Sequence, residues 1–173
     1  MGRNLRSSST IIIFLVLTFS IGCGKREKVF SAREYFDQGA EYFRERNFAL
    51  GALEFQKVLE KYPESEWADN AQFGLGLIYE ELGDYQKAVE ELGKVVINYP
   101  KGDKAPNALF GIGEIYERRL KNEPSKLSLS SLTLKNNSQA IETYQKLVDN
   151  YPGSRWAPMA RERIERLRKE EKR

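Results

Sequence analysis

Three stretches of the chain carry the same apolar stripe. Tyr85, Ala88, Val89, Leu92, Val95, Val96 and Tyr99 fall at offsets 0, 3, 4, 7, 10, 11 and 14, one face of a helix with a 3.6-residue period. Phe48, Gly51, Ala52, Phe55, Val58, Leu59 and Tyr62 repeat those offsets. So do Asn137, Ala140, Ile141, Tyr144, Leu147, Val148 and Tyr151, with Asn137 alone breaking the apolar rule. Asn47, Asp84 and Asn136 precede the stripes and are predicted N-caps, because their side-chain oxygens accept from the unpaired amides of a first turn. A Tyr-Pro pair ends each stripe, since proline disfavours helix in the residue before it. A partner helix precedes each striped one. The first opens with Ser31 and Glu34, the spacing of a capping box. Ser65 and Ser154, in two near copies of Tyr-Pro-x-Ser-x-Trp-Ala, are expected to cap later ones.

The helix pairs repeat. Gly39, Gly76 and Gly113 are 37 residues apart, and Phe36, Phe73 and Phe110 and Tyr42, Tyr79 and Tyr116 keep the same step. The Tyr-Pro pair moves 37 residues from Tyr62 to Tyr99 and then 52 to Tyr151, which places a 15-residue insertion in the third unit. The units read as residues 31–64, 65–101 and 102–153, with the insertion at 121–135 and a final helix at 154–170. Glycine inside a helix costs about 1 kcal/mol against alanine, so a glycine recurring at one register implies a close helix approach there. Leu127, Leu129, Leu132 and Leu134 alternate with Ser and Thr in the insertion. That segment either folds back on the third unit or offers a partner an extended strip. Trp156, Ala160, Ile164 and Leu167 give the final helix one apolar face, as a helix that caps a stack requires.

The first thirty residues differ from the rest. Arg3 and Arg6 precede an apolar run from Ile11 to Ile21, the length of a signal-peptide core and well short of the roughly 20 apolar residues that span a bilayer. The run ends at Ser20, Ile21, Gly22 and Cys23, which resembles the bacterial lipobox except that Ser20 stands where leucine is usual. The resemblance implies a signal peptide over 1–22, acylation of Cys23, and a polar tether over 23–30. Gly24 follows the cysteine in place of aspartate, and by the same resemblance this favours the outer membrane. An ordinary secretory signal would instead leave the domain in the periplasm.

Composition narrows the chemistry. The chain has no histidine and a single cysteine, which removes the usual base near neutral pH, any intramolecular disulfide and cysteine-cluster metal sites. Neighbouring carboxylates such as Glu80 and Glu81 or Glu90 and Glu91 diverge on a helix, and the glycines lie within helices where no phosphate loop forms. We expect no enzyme, no cofactor and no metal. The net charge is +3, of which the two leader arginines supply two, too weak a field to recruit nucleic acid by itself.

These features resemble the tetratricopeptide repeat, a helix-turn-helix unit of 34 residues. In the second unit Leu75, Gly76, Tyr79, Gly83, Tyr85, Ala88 and Pro100 match its pattern. The resemblance implies an all-α, right-handed superhelical solenoid of three helix pairs plus a capping helix. The long Tyr-Pro-x-Ser linker behind a lipoprotein-like N-terminus is similar to BamD-type lipoproteins of outer-membrane protein assembly, and to YbgF-type coordinators of the Tol-Pal envelope machinery. It implies a scaffold with protein partners of one of those two kinds, held as peptide or helix in a groove lined by the first helix of each pair. Carried over by spacing, the groove positions are Arg33, Phe36, Ala40 and Phe43, then Asn70, Phe73, Leu77 and Glu80, then Asn107, Phe110, Glu114 and Glu117. An asparagine donates and accepts at once, which suits clamping a peptide backbone. The phenylalanine ladder either grips ligand side chains or packs against the neighbouring repeat.

Overall fold

The structure is a computed structural model that describes residues 29–119 and 129–172. Among these residues it is all-helical: α1 (Ala32–Arg44), α2 (Phe48–Lys61), α3 (Ala68–Glu81), α4 (Tyr85–Asn98), α5 (Ala105–Glu114), α6 (Leu129–Asn150) and α7 (Ala157–Glu171). α5 runs on into a π-helical turn, Ile115–Arg119. Each helix packs on the next in chain order, α1 also touches α3, and the result is a solenoid of three helix pairs closed by α7.

The predicted caps hold for the first two units. Ser31 Oγ accepts from the Glu34 amide while the Ser31 amide donates to Glu34 Oε2 at 2.8 Å, a reciprocal capping box. Asn47 Oδ1 accepts from Leu50 N at 3.4 Å, and Asp84 Oδ1 from Lys87 N at 3.1 Å. The third differs. α6 begins at Leu129, so Asn136 lies inside the helix and caps nothing. Asn136 and Asn137 are both buried, with Asn136 Nδ2 and Asn137 Oδ1 lacking partners. Residues 129–135 of the insertion are thus helical in backbone, and 120–128 lie outside the described residues.

Ser65 and Ser154 do not cap helices either. The linker residues 62–68, 99–105 and 151–157 each fold as two successive turns. Ser65 N donates to Tyr62 O at 3.0 Å and Ala68 N to Ser65 O at 3.0 Å. Gly102 and Ala105 repeat the pair at 2.9 and 3.3 Å, and Ser154 and Ala157 repeat it at 2.9 and 3.1 Å. Trp67, Lys104 and Trp156 are the residues from which α3, α5 and α7 start, without a side-chain cap.

The repeated glycines mark close approaches. A Cβ on Gly39 would stand 2.7 Å from the Phe55 ring, one on Gly76 2.5 Å from Leu92 Cδ2, and one on Gly113 would meet Tyr144. Phe55, Leu92 and Tyr144 occupy one register of α2, α4 and α6, so each pair is locked by a large side chain seated on its glycine. The buried clusters cross the pairs. Phe55 and Val58 of α2 join Ala71, Leu75 and Ile78 of α3, and Leu92 and Val95 of α4 join Ala108 and Ile112 of α5. Tyr144 and Leu147 of α6 join Ala160, Ile164 and Leu167 of α7. A unit alone would leave half of each cluster in water, which is why solenoid repeats stabilise one another.

Candidate concave interaction site

The first helices place their predicted groove residues in two different environments. At the first two units Phe36, Ala40 and Phe43 of α1 and Asn70, Phe73 and Leu77 of α3 line one cleft of about 230 Å³, with Arg44, Phe55, Gly74 and Lys104 completing it. Its floor is aromatic: Phe36 and Phe43 of α1 and Phe73 of α3 line it together with Phe55 of α2. Phe36 and Phe55 lie 5.6 Å apart between centroids, and Phe43 packs on Phe48 at 5.8 Å. The only charged lining residues are Arg44 and Lys104, both cationic. Asn70 Nδ2 is spent on Glu66 O at 3.2 Å and Asp69 Oδ1 at 2.9 Å. Arg33 does not line the cleft: it pairs with Asp37 at 3.5 Å and its guanidinium lies 5.7 Å from the Trp67 ring. Glu80 is half-buried outside the cleft.

At the third unit the corresponding residues are occupied by the chain itself. Phe110 is buried, stacked on Trp156 at 4.6 Å and tilted against Tyr144 at 5.6 Å. Asn107 Oδ1 accepts from Trp156 Nε1 at 2.9 Å. Glu114 Oε1 meets Arg163 Nη2 at 3.1 Å. Glu117 is buried and accepts from Arg163 Nη1 at 3.1 and 3.0 Å, from Tyr144 Oη at 3.1 Å, and from Arg166. Burial and the Glu117 charge hold the Tyr144 phenol well above its ordinary pKa. Four of the positions carried over from spacing are therefore used to hold the capping helix. Sequence reasoning had no sight of this, because Arg163 and Arg166 are 46 and 49 residues from Glu117.

Beside the cleft, Asp69 accepts from Lys104 N at 3.3 Å. Desolvation raises the Asp69 pKa, with a contribution from Asp103, whereas the bond from Lys104 lowers that of Asp103. Asp69, Lys104, Arg44 and Phe55 were not among the predicted site residues. Lys104 had a visible signal: it stands where the other two linkers have tryptophan. Glu90 and Glu91 were expected to diverge, yet Lys94 Nζ reaches both carboxylates, at 3.0 and 2.9 Å, while Glu91 also accepts from Gln72 Nε2 at 2.7 Å. Cys23 and the signal segment lie outside the described residues. No described helix is long and apolar enough to cross a membrane.

A stack of helix pairs with seated glycines and a cleft lined by its first helices defines a tetratricopeptide-type solenoid. The solved tetratricopeptide domain of Arabidopsis OM64 shares this fold, with a TM-score of 0.53 at 14% identity, over 80% of this chain and 95% of that one. The family model for YfiO, an outer membrane lipoprotein, matches residues 29–170. The chain belongs to that family. No curated protein matches it.

Proposed function

We propose that the protein is a non-catalytic scaffold, anchored through acylated Cys23 at the periplasmic face of the outer membrane. There it takes part in outer-membrane protein assembly by docking a protein partner in the concave cleft of its first two units. Family membership supports the outer-membrane setting. The observation that carries the docking face is the contrast between units. Phe110 and Glu117 are buried under Trp156 and the α7 arginines, and Asn107 accepts from the Trp156 indole, whereas Phe73 and Leu77 stay half-buried around an open cleft. An exposed apolar concavity on a soluble domain is where a partner's side chains are taken up.

The test is a photo-crosslinking residue at Phe73 in native membranes, with captured proteins identified by mass spectrometry. Capture of a barrel-assembly component supports the proposal. Capture of a Tol-Pal or cell-wall component refutes the assembly role and keeps the cleft. A Cys23→Ala variant is expected to leave the membrane fraction; its retention there would refute the anchor.

A further inference from the structure

The repeat supplies an internal picture of what the open cleft lacks. Trp67, Lys104 and Trp156 occupy one register and nearly one backbone conformation, with φ of −93, −85 and −84° and ψ of −10, −16 and −19°. From that position Trp67 lies against Phe36 at 5.1 Å and Trp156 stacks on Phe110 at 4.6 Å. Phe73 is the middle member of the phenylalanine ladder, and its register partner is Lys104. Among the described residues the two indoles pack on Phe36 and Phe110, and neither stacks on Phe73. The Lys104 ammonium is drawn to the Asp103 carboxylate at 3.0 Å, leaving the lysine to line the cleft wall.

The hydrogen bond repeats as well. Asn107 Oδ1 accepts from the Trp156 indole at 2.9 Å, and one period earlier the same position is Asn70, which lines the cleft. Both donor hydrogens of Asn70 are turned to Glu66 and Asp69, which leaves its Oδ1 as the acceptor available to a ligand. The cleft, at about 230 Å³, is of a size for one large side chain and below the roughly 300 Å³ at which drug-sized sites begin. The charged lining residues are Arg44 and Lys104, each held in a surface pair, with Glu41 at 2.6 Å and Asp103 at 3.0 Å, of the kind that is worth little and can admit a partner's carboxylate.

We infer that the cleft takes a partner's tryptophan flanked by carboxylates. The indole stacks on Phe73 and donates to Asn70 Oδ1, as Trp156 does with Phe110 and Asn107. The adjacent carboxylates of the partner face Arg44 and Lys104. Aromatic stacking and a ring donor together select tryptophan over phenylalanine, because stacking alone is shared by both. This inference rests on the concave cleft being the docking face.

The test titrates the full-length protein, in detergent, with three peptides of sequence Gly-Glu-X-Glu-Gly, blocked at both ends, where X is Trp, Phe or Ala. Binding is followed by backbone and asparagine side-chain amide shifts. The Trp peptide is expected to bind about fivefold tighter than the Phe peptide, the size of one hydrogen bond, and tighter still than the Ala peptide, with the Asn70 side-chain amide among the shifted signals. An Asn70→Leu variant should erase the Trp over Phe preference while keeping binding. Lys104→Trp should fill the cleft from within and abolish binding of all three; Phe73→Ala, which needs no new side chain to be accommodated, should weaken Trp binding at least tenfold. Equal binding of the Trp and Ala peptides would overturn the inference, as would an unchanged preference in Asn70→Leu. If those peptides fail while a crosslinker at Phe73 still captures a partner, the docking face stands and the tryptophan assignment falls.

Discussion

Removing the Glu117 carboxylate should release the capping helix. In the Glu117→Ala variant Arg163 keeps Glu114 at 3.1 Å but loses both contacts to Glu117, Arg166 loses its partner, and the Tyr144 hydroxyl, on a residue with no exposed surface, is left unpaired. A buried hydroxyl without a partner costs about 1–3 kcal/mol, and breaking a buried ion pair from one side costs about 3–5 kcal/mol. Because Arg163 retains one carboxylate, the lower end of each range applies, about 4 kcal/mol in all. For a domain of this size that is a fall of about 10–15 °C in Tm. Urea denaturation read by far-UV circular dichroism measures it. Added salt should leave the difference intact, since the Glu117 side chain is only 8% exposed and buried pairs are weakly screened. Arg118→Ala, at an exposed 3.7 Å pair with Glu114, is the control and should cost under about 0.5 kcal/mol. A Glu117→Ala variant within about 1 kcal/mol of the parent would refute the network, because an exposed pair is worth that much.

Two glycines should respond with opposite signs. Gly76→Ala forces a methyl against Leu92, whereas a Cβ on Gly93 meets nothing; overpacking should cost the first on the order of 1–2 kcal/mol, and helix propensity should stabilise the second by about 0.5–1 kcal/mol, both read from urea midpoints. Asn47→Ala removes a working cap and should cost about 1 kcal/mol. Asn136→Leu removes a buried amide whose Nδ2 has no partner and should stabilise by about 1 kcal/mol; destabilisation would mean that the amide's other contacts outweigh that orphaned donor. Asp69, raised by burial in the fold, contributes most below its unfolded pKa and loses that contribution as pH rises through its folded value. The stability of Asp69→Asn relative to the parent should therefore grow from about pH 3 to about pH 6, and a flat difference would contradict the desolvation argument.

Much of the fold was legible because the stripes, the Tyr-Pro stops and the period of 37 residues all report local geometry. The glycines were legible for the same reason: each recurs opposite one register of the partner helix, where Phe55, Leu92 and Tyr144 sit. The third cap was misread at Asn136, since a helix start depends on whether the preceding residues are helical, and the polar insertion gave no apolar period to show it. The candidate site divided along the same line. Positions on α1 and α3 meet because they share a register in adjacent units. Asn107, Phe110, Glu114 and Glu117 have the same spacing, but their neighbour is α7, whose arginines and Trp156 fill the space. Periodicity reports which face a residue takes and says nothing of what covers that face. The substitution of Lys104 for tryptophan was visible in the alignment of the linkers, yet its meaning needed the Phe110 and Trp156 stack.

The central claim is that the concave face is open at the first two units and closed at the third. Parallel photo-crosslinking from Leu77 and from Glu114, in the same native membranes, tests it most directly. Leu77 lines the open cleft, and Glu114 faces Arg163 of the capping helix. The account predicts a partner adduct from Leu77 and only an internal adduct to α7 from Glu114. A partner adduct from Glu114 with none from Leu77 would contradict it.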